Sequence, residues 1–394
     1  MSKTSMTATH PQMRPDQAMS MIEALCINPM EQGRMPIPVM IWGQPGVGKS
    51  SIIKQLGEKH NRPVIDIRLL LKDPTDLAGL PYFDVNQGEL KVANPVGFPD
   101  EKNPEHAHLL NAIIILDELS SAPKAVQSAA LQLILDRKVG DYTLPKDVIM
   151  IAAGNRSEDG NVFEEMPTPL RNRFAHIDLV ADFKQWKKWA EESDIHPIVL
   201  GFLESSGGAD FNNFDAKTLM GRYAFATPRS WERVSDALWA ITDRETLRVT
   251  NERLVQTLVG SLVGTDVATK LNSFFTTFGE LPSPTDILEG KVKSFDYEKM
   301  EAKKRQSARY ATILGLTHVM KERFERAKGD DKALESFDKV ECTNFIKFMT
   351  TSMATAEEFM AIAGERVIRD KIPIFKKPEF REFIKHIHGV LNQI

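Results

Sequence analysis

Residues 43–50 read Gly43-Gln44-Pro45-Gly46-Val47-Gly48-Lys49-Ser50, a complete GxxxxGK(S/T) pattern. The run before it, Ile37-Pro38-Val39-Met40-Ile41-Trp42, is short and apolar, as a buried strand is. The run after it, Ser51-Ile52-Ile53-Lys54-Gln55-Leu56, suits a helix. Strand, glycine loop and helix in that order is the setting in which this pattern cradles phosphate. Glycines let backbone N–H groups wrap phosphate oxygens, and the helix N-terminus adds the positive end of its dipole. The candidate nucleotide-binding residues are therefore Gly43, Gln44, Pro45, Gly46, Val47, Gly48, Lys49, Ser50 and Ser51. In that frame Lys49 reaches the β- and γ-phosphates and Ser50 ligates Mg2+.

The surrounding sequence agrees with this start. From Met35 to about Val180 apolar strands alternate with helical stretches, the pattern of an α/β fold with a parallel sheet. The expected strands are Val39–Trp42, Val64–Arg68, Ile113–Leu116, Val148–Ala152 and Ala175–Asp178. Residues 1 to about 15 are polar, carry Pro11 and Pro15, and are expected to be disordered, with a helix over Ala18–Leu25 behind them. Beyond Asp182 strand signals fade and helices take over, and Leu281-Pro282-Ser283-Pro284 marks a break before a last charged region. That region holds amphipathic stretches at Glu301–Lys321 and Glu379–Leu391. The expected division is a lead segment over 1–35, an α/β nucleotide-binding core over 36–181, a helical lid over 182–280 and a helical extension over 281–394.

A second anchor follows the first. Ala112-Ile113-Ile114-Ile115-Leu116-Asp117-Glu118 is an apolar strand ending in two carboxylates. After a phosphate loop, Asp117 is placed to hold Mg2+ and Glu118 to polarise an attacking water. Val148–Ala153 leads to Gly154-Asn155, whose amide either orients that water or simply ends the strand in a turn. Pro169-Leu170-Arg171-Asn172-Arg173-Phe174 sets two arginines before a strand, suited either to phosphoryl charge or to surface ion pairs. Arg229, in Ala226-Thr227-Pro228-Arg229-Ser230-Trp231, sits at a helix start and taken alone is uninformative.

The order GQPGVGKS, IIILDE, AAGN, PLRNRF, ATPRSW resembles an AAA+ ATPase, and more narrowly the MoxR family, which includes the CbbQ- and NorQ-type activases and RavA. Asp76-Leu77-Ala78-Gly79-Leu80-Pro81, the Leu116–Leu131 segment and Val139-Gly140-Asp141-Tyr142-Thr143-Leu144-Pro145 sharpen the likeness, which covers about residues 36–240. The resemblance implies an AAA+ core of parallel sheet flanked by helices, a helical lid, and ATP hydrolysis with Mg2+. It implies that Asn155 is sensor 1, Arg229 is sensor 2, and Arg173, with Arg171 as second candidate, is an arginine finger acting on a neighbouring subunit. It therefore implies a homo-oligomeric ring, usually a hexamer. It also implies two hairpins, placed here at Gln87–Phe98 and Val139–Leu144, and a chaperone-like role with a separate von Willebrand factor A domain protein and a client complex. The last region is a candidate docking surface or extra packing on the lid, and Tyr82-Phe83 is either a client-gripping or a buried pair.

Composition limits the alternatives. A net charge of −4 argues against bulk electrostatic binding of nucleic acid, although Lys303-Lys304-Arg305 and Lys376-Lys377 keep a nucleic-acid-linked motor or loader in view. A nucleotide-gated scaffold is the third class, and intact Glu118 and Arg173 argue against it. Only Cys26 and Cys342 occur, which indicates neither a disulfide framework nor a zinc site. The histidine pairs His106/His108 and His386/His388 are spaced i, i+2 and read as non-ligands. Trp186, Trp189, Trp231 and Trp239 suit a lid core. The N-terminus lacks an apolar signal stretch and no run approaches the ~18 residues of a membrane span, so a cytoplasmic protein is expected.

Overall fold

The computed structural model describes residues 11–139, 141–159, 164–218, 222–353, 356–378 and 380. They fall into two compact units: 1–186 with 214–221, and 187–213 with 222–394.

Among its described residues the first unit holds ten strands: β1 (Gln12–Met13), β2 (Val39–Trp42), β3 (Val64–Arg68), β4 (Pro81–Asp84), β5 (Glu89–Val92), β6 (Ile113–Asp117), β7 (Lys138–Val139), β8 (Tyr142–Thr143), β9 (Ile149–Gly154) and β10 (Ala175–Leu179). Six of them form a parallel sheet in the order β1-β10-β2-β9-β6-β3. The five expected strands are all in it, each within two residues of its expected ends. Side chains alternate across a strand, so each strand feeds both faces. Met40, Trp42, Ile114, Leu116, Met150 and Ala152 pack on one side with the Lys124–Asp136 helix. Val39, Ile41, Ile113, Ile115, Ile149 and Ile151 pack on the other with the Pro15–Ile22 and Lys49–Lys59 helices. Coverage on both faces is why these strands read as continuous apolar runs.

Three expectations need correcting. Residues 11–15 are ordered: the Asp178 amide donates to Pro11 O at 3.3 Å and the Val180 amide to Met13 O at 3.0 Å, so β1 caps the sheet edge and a helix starts at Pro15. That helix continues as a π-helical turn over Glu23–Ile27, rather than starting at Ala18. The first hairpin is β4–β5, not Gln87–Phe98: Tyr82 pairs with Lys91 and Phe83 with Leu90, and Asp84 closes the turn by accepting from the amides of Asn86 and Gln87. Tyr82 and Phe83 are exposed, so the buried-pair reading fails. The β7–β8 hairpin lies where expected, and its Tyr142 is buried, donating its hydroxyl to Pro99 O at 2.7 Å.

The second unit is helical among its described residues, with one isolated bridge between Thr242 and Val249. The 26-residue helix Ala302–Ala327 packs against helices Pro197–Ser205 and Glu357–Arg369. Trp231 is fully buried and donates Nε1–H to the carbonyls of Asp210 and Phe211. The basic clusters are diluted as expected: Lys304 pairs with Glu301, Arg305 with Glu298 and Lys377 with Asp338. His386, His388 and most of Glu379–Leu391 lie outside the described residues.

His196 caps the Pro197–Ser205 helix: its Nδ1 accepts from the Ile198 amide at 3.2 Å, which leaves Nε2 to donate to Thr242 Oγ1 at 3.1 Å. Complete burial pushes its pKa down to about 3. Between that value and the ordinary 6.5 the unfolded chain takes up a proton that the folded ring refuses. Stability is therefore greatest above pH 6.5 and falls as the pH drops toward 3, by about 2 kcal/mol at pH 5 from this group. Denaturant unfolding followed by tryptophan fluorescence at pH 7 and pH 5 measures the difference. His196→Gln, which does not titrate, is expected to flatten the slope by that amount; an unchanged slope removes His196 from this role.

Candidate nucleotide-binding site

β2 runs straight into the glycine loop, and the helix Lys49–Lys59 begins at its end. Two glycines are required by geometry. A Cβ on Gly43 would lie 2.8 Å from Leu179 O and 3.1 Å from Val47 Cγ1, and Gly48 sits at φ +103°, which L side chains disfavour. Lys49 Nζ is held over the loop, donating to Gly43 O at 2.7 Å and Gln44 O at 3.2 Å. It also donates to Asn155 Oδ1 at 2.9 Å, which ties the loop to the end of β9. Ser50 Oγ lies 3.3 Å from Asp117 Oδ2, at the end of the adjacent β6. Gln44 Nε2 is buried without a hydrogen-bond acceptor among the described residues.

The residues following the two inner strands are locked to one another. Ser120 is fully buried; its Oγ donates to Asn155 O at 3.0 Å and accepts the Asn155 amide at 3.1 Å. The neighbouring Gly154 has no room for a side chain, since a Cβ would stand 2.6 Å from that same Oγ and 2.7 Å from Met40 Cε. Glu118 adopts left-handed backbone at φ +60°, with its amide donating to Asp117 Oδ1 at 2.9 Å. A non-glycine residue in that region costs roughly 1–3 kcal/mol and marks a position that the surroundings hold on purpose.

Other neighbours carried no signal that the sequence reading used. Arg156, next to Asn155, donates Nε–H to Asp178 Oδ1 at 2.7 Å, and its amide donates to Asp159 Oδ2 at 2.9 Å. Burial pushes the Asp159 carboxyl up, against the downward pull of the Arg156 amide, the Arg156 charge and the Lys49 charge. Trp42, the last residue before the loop, donates Nε1–H to His176 Nδ1 at 2.9 Å. That bond fixes the proton on Nε2, which donates to the carbonyl of Arg171 at 2.8 Å. A polar strand end at Asp178 and a lone His176 in the apolar run 174–179 are the only hints that the sequence offers.

Of the arginine candidates, Arg171 is engaged locally, with Nη2 donating to Thr168 Oγ1 at 3.2 Å and Nη1 at 3.4 Å from Glu165. Arg173 is exposed; its amide donates to Leu170 O at 3.2 Å, and its side chain makes no hydrogen bond or ion pair with a described residue. Arg229 is exposed at the second position of the Pro228–Trp239 helix in the second unit, where Thr227 and Ser230 cap one another reciprocally. Ser51 is exposed on the first turn of the loop helix.

These residues fit a nucleotide with its magnesium. Hydroxyl and carboxylate oxygens are the ligands Mg2+ takes, and Ser50 and Asp117 bring one of each together. Away from this pair, no cluster of three or more His, Cys, Asp or Glu among the described residues has the placement of a metal site. Cys26 and Cys342 are free and buried. No helix among the described residues is long and apolar enough to cross a membrane.

Among solved structures the chain is similar to an assigned ATPase of Cytophaga hutchinsonii, at 17% identity and TM-score 0.30, over 61% of this chain and 65% of that one. The chain thus spans just under two thirds of that protein's length. It is also similar to RuvB of Thermotoga maritima, at 15% identity and TM-score 0.33, over 65% and 68% of the two chains. NtrX of Brucella abortus matches at 15% identity and TM-score 0.30, over 79% and 64%. The family model described as ATPase family associated with various cellular activities matches residues 39–181. Residues 39–181 of this chain are an ATPase domain of the AAA family.

Proposed function

We propose that the chain is a MoxR-type AAA+ ATPase that assembles into a ring, probes its bound ATP with charged residues from two subunits, and uses hydrolysis to remodel or activate a partner complex. The observation that carries this reading is the convergence of Lys49, Ser50, Asp117 and Asn155 at the ends of three neighbouring strands. In that arrangement Lys49 and the loop amides hold the phosphates. Ser50 and Asp117 would hold magnesium, which when bound would offset the negative charge of the phosphates. Glu118 takes the proton of the attacking water, and Asn155, whose Oδ1 is already committed to Lys49, has its amide N–H groups left to orient that water. We assign Arg173 as the finger that reaches a neighbouring subunit's ATP, and Arg229 as sensor 2 of the lid.

The two hairpins inserted around the core support the MoxR reading, β4–β5 with its exposed Tyr82 and Phe83 above all. A hexamer, a von Willebrand factor A domain partner and a client protein complex belong to the same proposal. So do the core over 36–181, the lid over 182–280 and the extension over 281–394. The packing of Ala302–Ala327 on Pro197–Ser205 supports lid and extension moving as one body.

Mass measurement and particle imaging of Glu118→Gln with and without Mg-ATP test the assembly. A closed or spiral ring that needs ATP is the expected result. A persistent monomer at concentrations well above those in cells overturns the ring and, with it, the finger in trans.

A further inference from the structure

The second unit holds a cavity of about 470 Å³, the size of sites that take small molecules. Its walls come from residues 191–200, from Arg244, from the middle of helix Ala302–Ala327 and from the end of helix Glu357–Arg369. Part of the lining is apolar, through Ile195, Pro197, Leu200 and Leu314. Apart from Ser193 the rest is charged or titratable, and the direct ion pairs are unevenly distributed.

At one end every cation has an acid. Arg244 donates to Asp194 at 2.8 Å and to Glu322 at 2.7 Å, and Arg326 pairs with Glu245 and Glu322. His318 stands between Asp194 and Glu322, and burial holds its pKa down. At the other end three cations, Lys321, Arg366 and Arg369, have few direct ion pairs among the described residues. Asp370 serves both Lys321, at 3.8 Å, and Arg369, at 3.4 Å. Glu191 accepts the Tyr310 hydroxyl at 3.0 Å. Arg366 has only Thr317: its Nε donates to Oγ1 at 2.9 Å, its Nη1 is enclosed without an acceptor, and no carboxylate among the described residues comes within 4 Å.

Glu191 and Asp370 act on the Arg366 guanidinium only through space, and a largely enclosed guanidinium with no direct ion pair is a standing cost of folding. The same group is a planar fork whose geometry matches carboxylate and phosphate oxygens. Two further cations beside it, on a cavity wall with apolar lining nearby, supply what an anionic ligand with a short carbon frame needs. We propose that this cavity binds a small molecule through an oxyanion, carboxylate or phosphate, anchored by Arg366 with Lys321 and Arg369. The site lies wholly within the second unit and does not depend on the function proposed for the first.

The test uses the full chain carrying Lys49→Ala, so that phosphate at the glycine loop does not contribute. Inorganic phosphate and succinate are titrated separately by calorimetry at constant ionic strength. Saturable binding of about one equivalent is expected for one of them, weakened roughly tenfold or more by Arg366→Gln. Phosphate binding tighter than succinate assigns the phosphate class, and the reverse order the carboxylate class. If Arg366→Gln does not fold, Arg369→Gln, whose side chain is 31% exposed, carries the same comparison. Failure of both probes to saturate by ~10 mM, or binding undiminished in these variants, overturns the proposal.

Discussion

Glu118→Gln is expected to lower the ATPase kcat by about 10²–10⁴-fold, the usual share of a positioned general base. ATP binding should be intact. The contacts placed to hold phosphate and magnesium come from the loop, Lys49, Ser50 and Asp117, and none of these is made by the Glu118 side chain. The substitution keeps the shape of the side chain and removes only its capacity to take a proton. It also leaves the backbone in place, where the φ of +60° and the Glu118 amide bond to Asp117 Oδ1 set the direction of the residue. Stopped-flow binding of a fluorescent ATP analogue, beside single-turnover hydrolysis, separates the two effects. Turnover at the wild-type rate would remove Glu118 from the chemistry. Loss of binding together with turnover would mean that the side chain supports the loop rather than the water.

Much of the core was legible because its residues answer to one constraint each. The strands β2, β6 and β9 are buried on both faces, so their sequences are unbroken apolar runs, and polar residues mark where each run leaves the sheet. Gly43 and Gly48 answer to the close approach of Leu179 O and to a positive φ. Asp117 and Asn155 stand at the ends of adjacent strands, so the parallel order already brings them beside the loop. What escaped the sequence answers to pairings across long separations. Ser120 reads as a loop serine, and only the fold puts its hydroxyl against both polar groups of the Asn155 backbone. Trp42 reads as the last apolar residue of a strand, and its bond to His176 needs β10 to lie alongside β2.

The errors have the same origin. Pro11 and Pro15 make the lead segment look disordered, because local signals say nothing of the unpaired edge of β10 that β1 covers. The expected first hairpin begins at Gln87, while in the structure Gln87 and Gly88, the latter at φ +66°, sit inside the turn between β4 and β5. The cavity of the second unit left no trace in the sequence. Arg326, Arg366 and Arg369 lie on helices that also carry acids, and only packing decides which of them keep a partner.

Arg173→Ala is expected to lower hydrolysis by about 10³–10⁵, the range for an arginine finger, without disturbing the fold. Its side chain is exposed and bonded to no described group, and alanine keeps the amide that donates to Leu170 O, so the change leaves nothing buried unpaired. Arg171 is the natural control. It holds Thr168 and Glu165 with its side chain and receives His176 at its carbonyl, so Arg171→Ala should cost less in hydrolysis and more in local order. The decisive measurement is mixing. Arg173→Ala subunits keep a complete ATP site and lack the finger; Lys49→Ala subunits keep the finger and lack the loop lysine. Each variant alone should be inactive. In a randomly mixed 1:1 ring, whose head-to-tail interfaces join one subunit's site to the next subunit's finger, about a quarter of the interfaces bring an intact site to an intact finger. Activity should rise on mixing, peak near equal proportions and fall toward either pure variant. A flat line at every ratio would place Arg173 outside the neighbouring site, and a rise that follows Arg171→Ala instead would pass the role to Arg171.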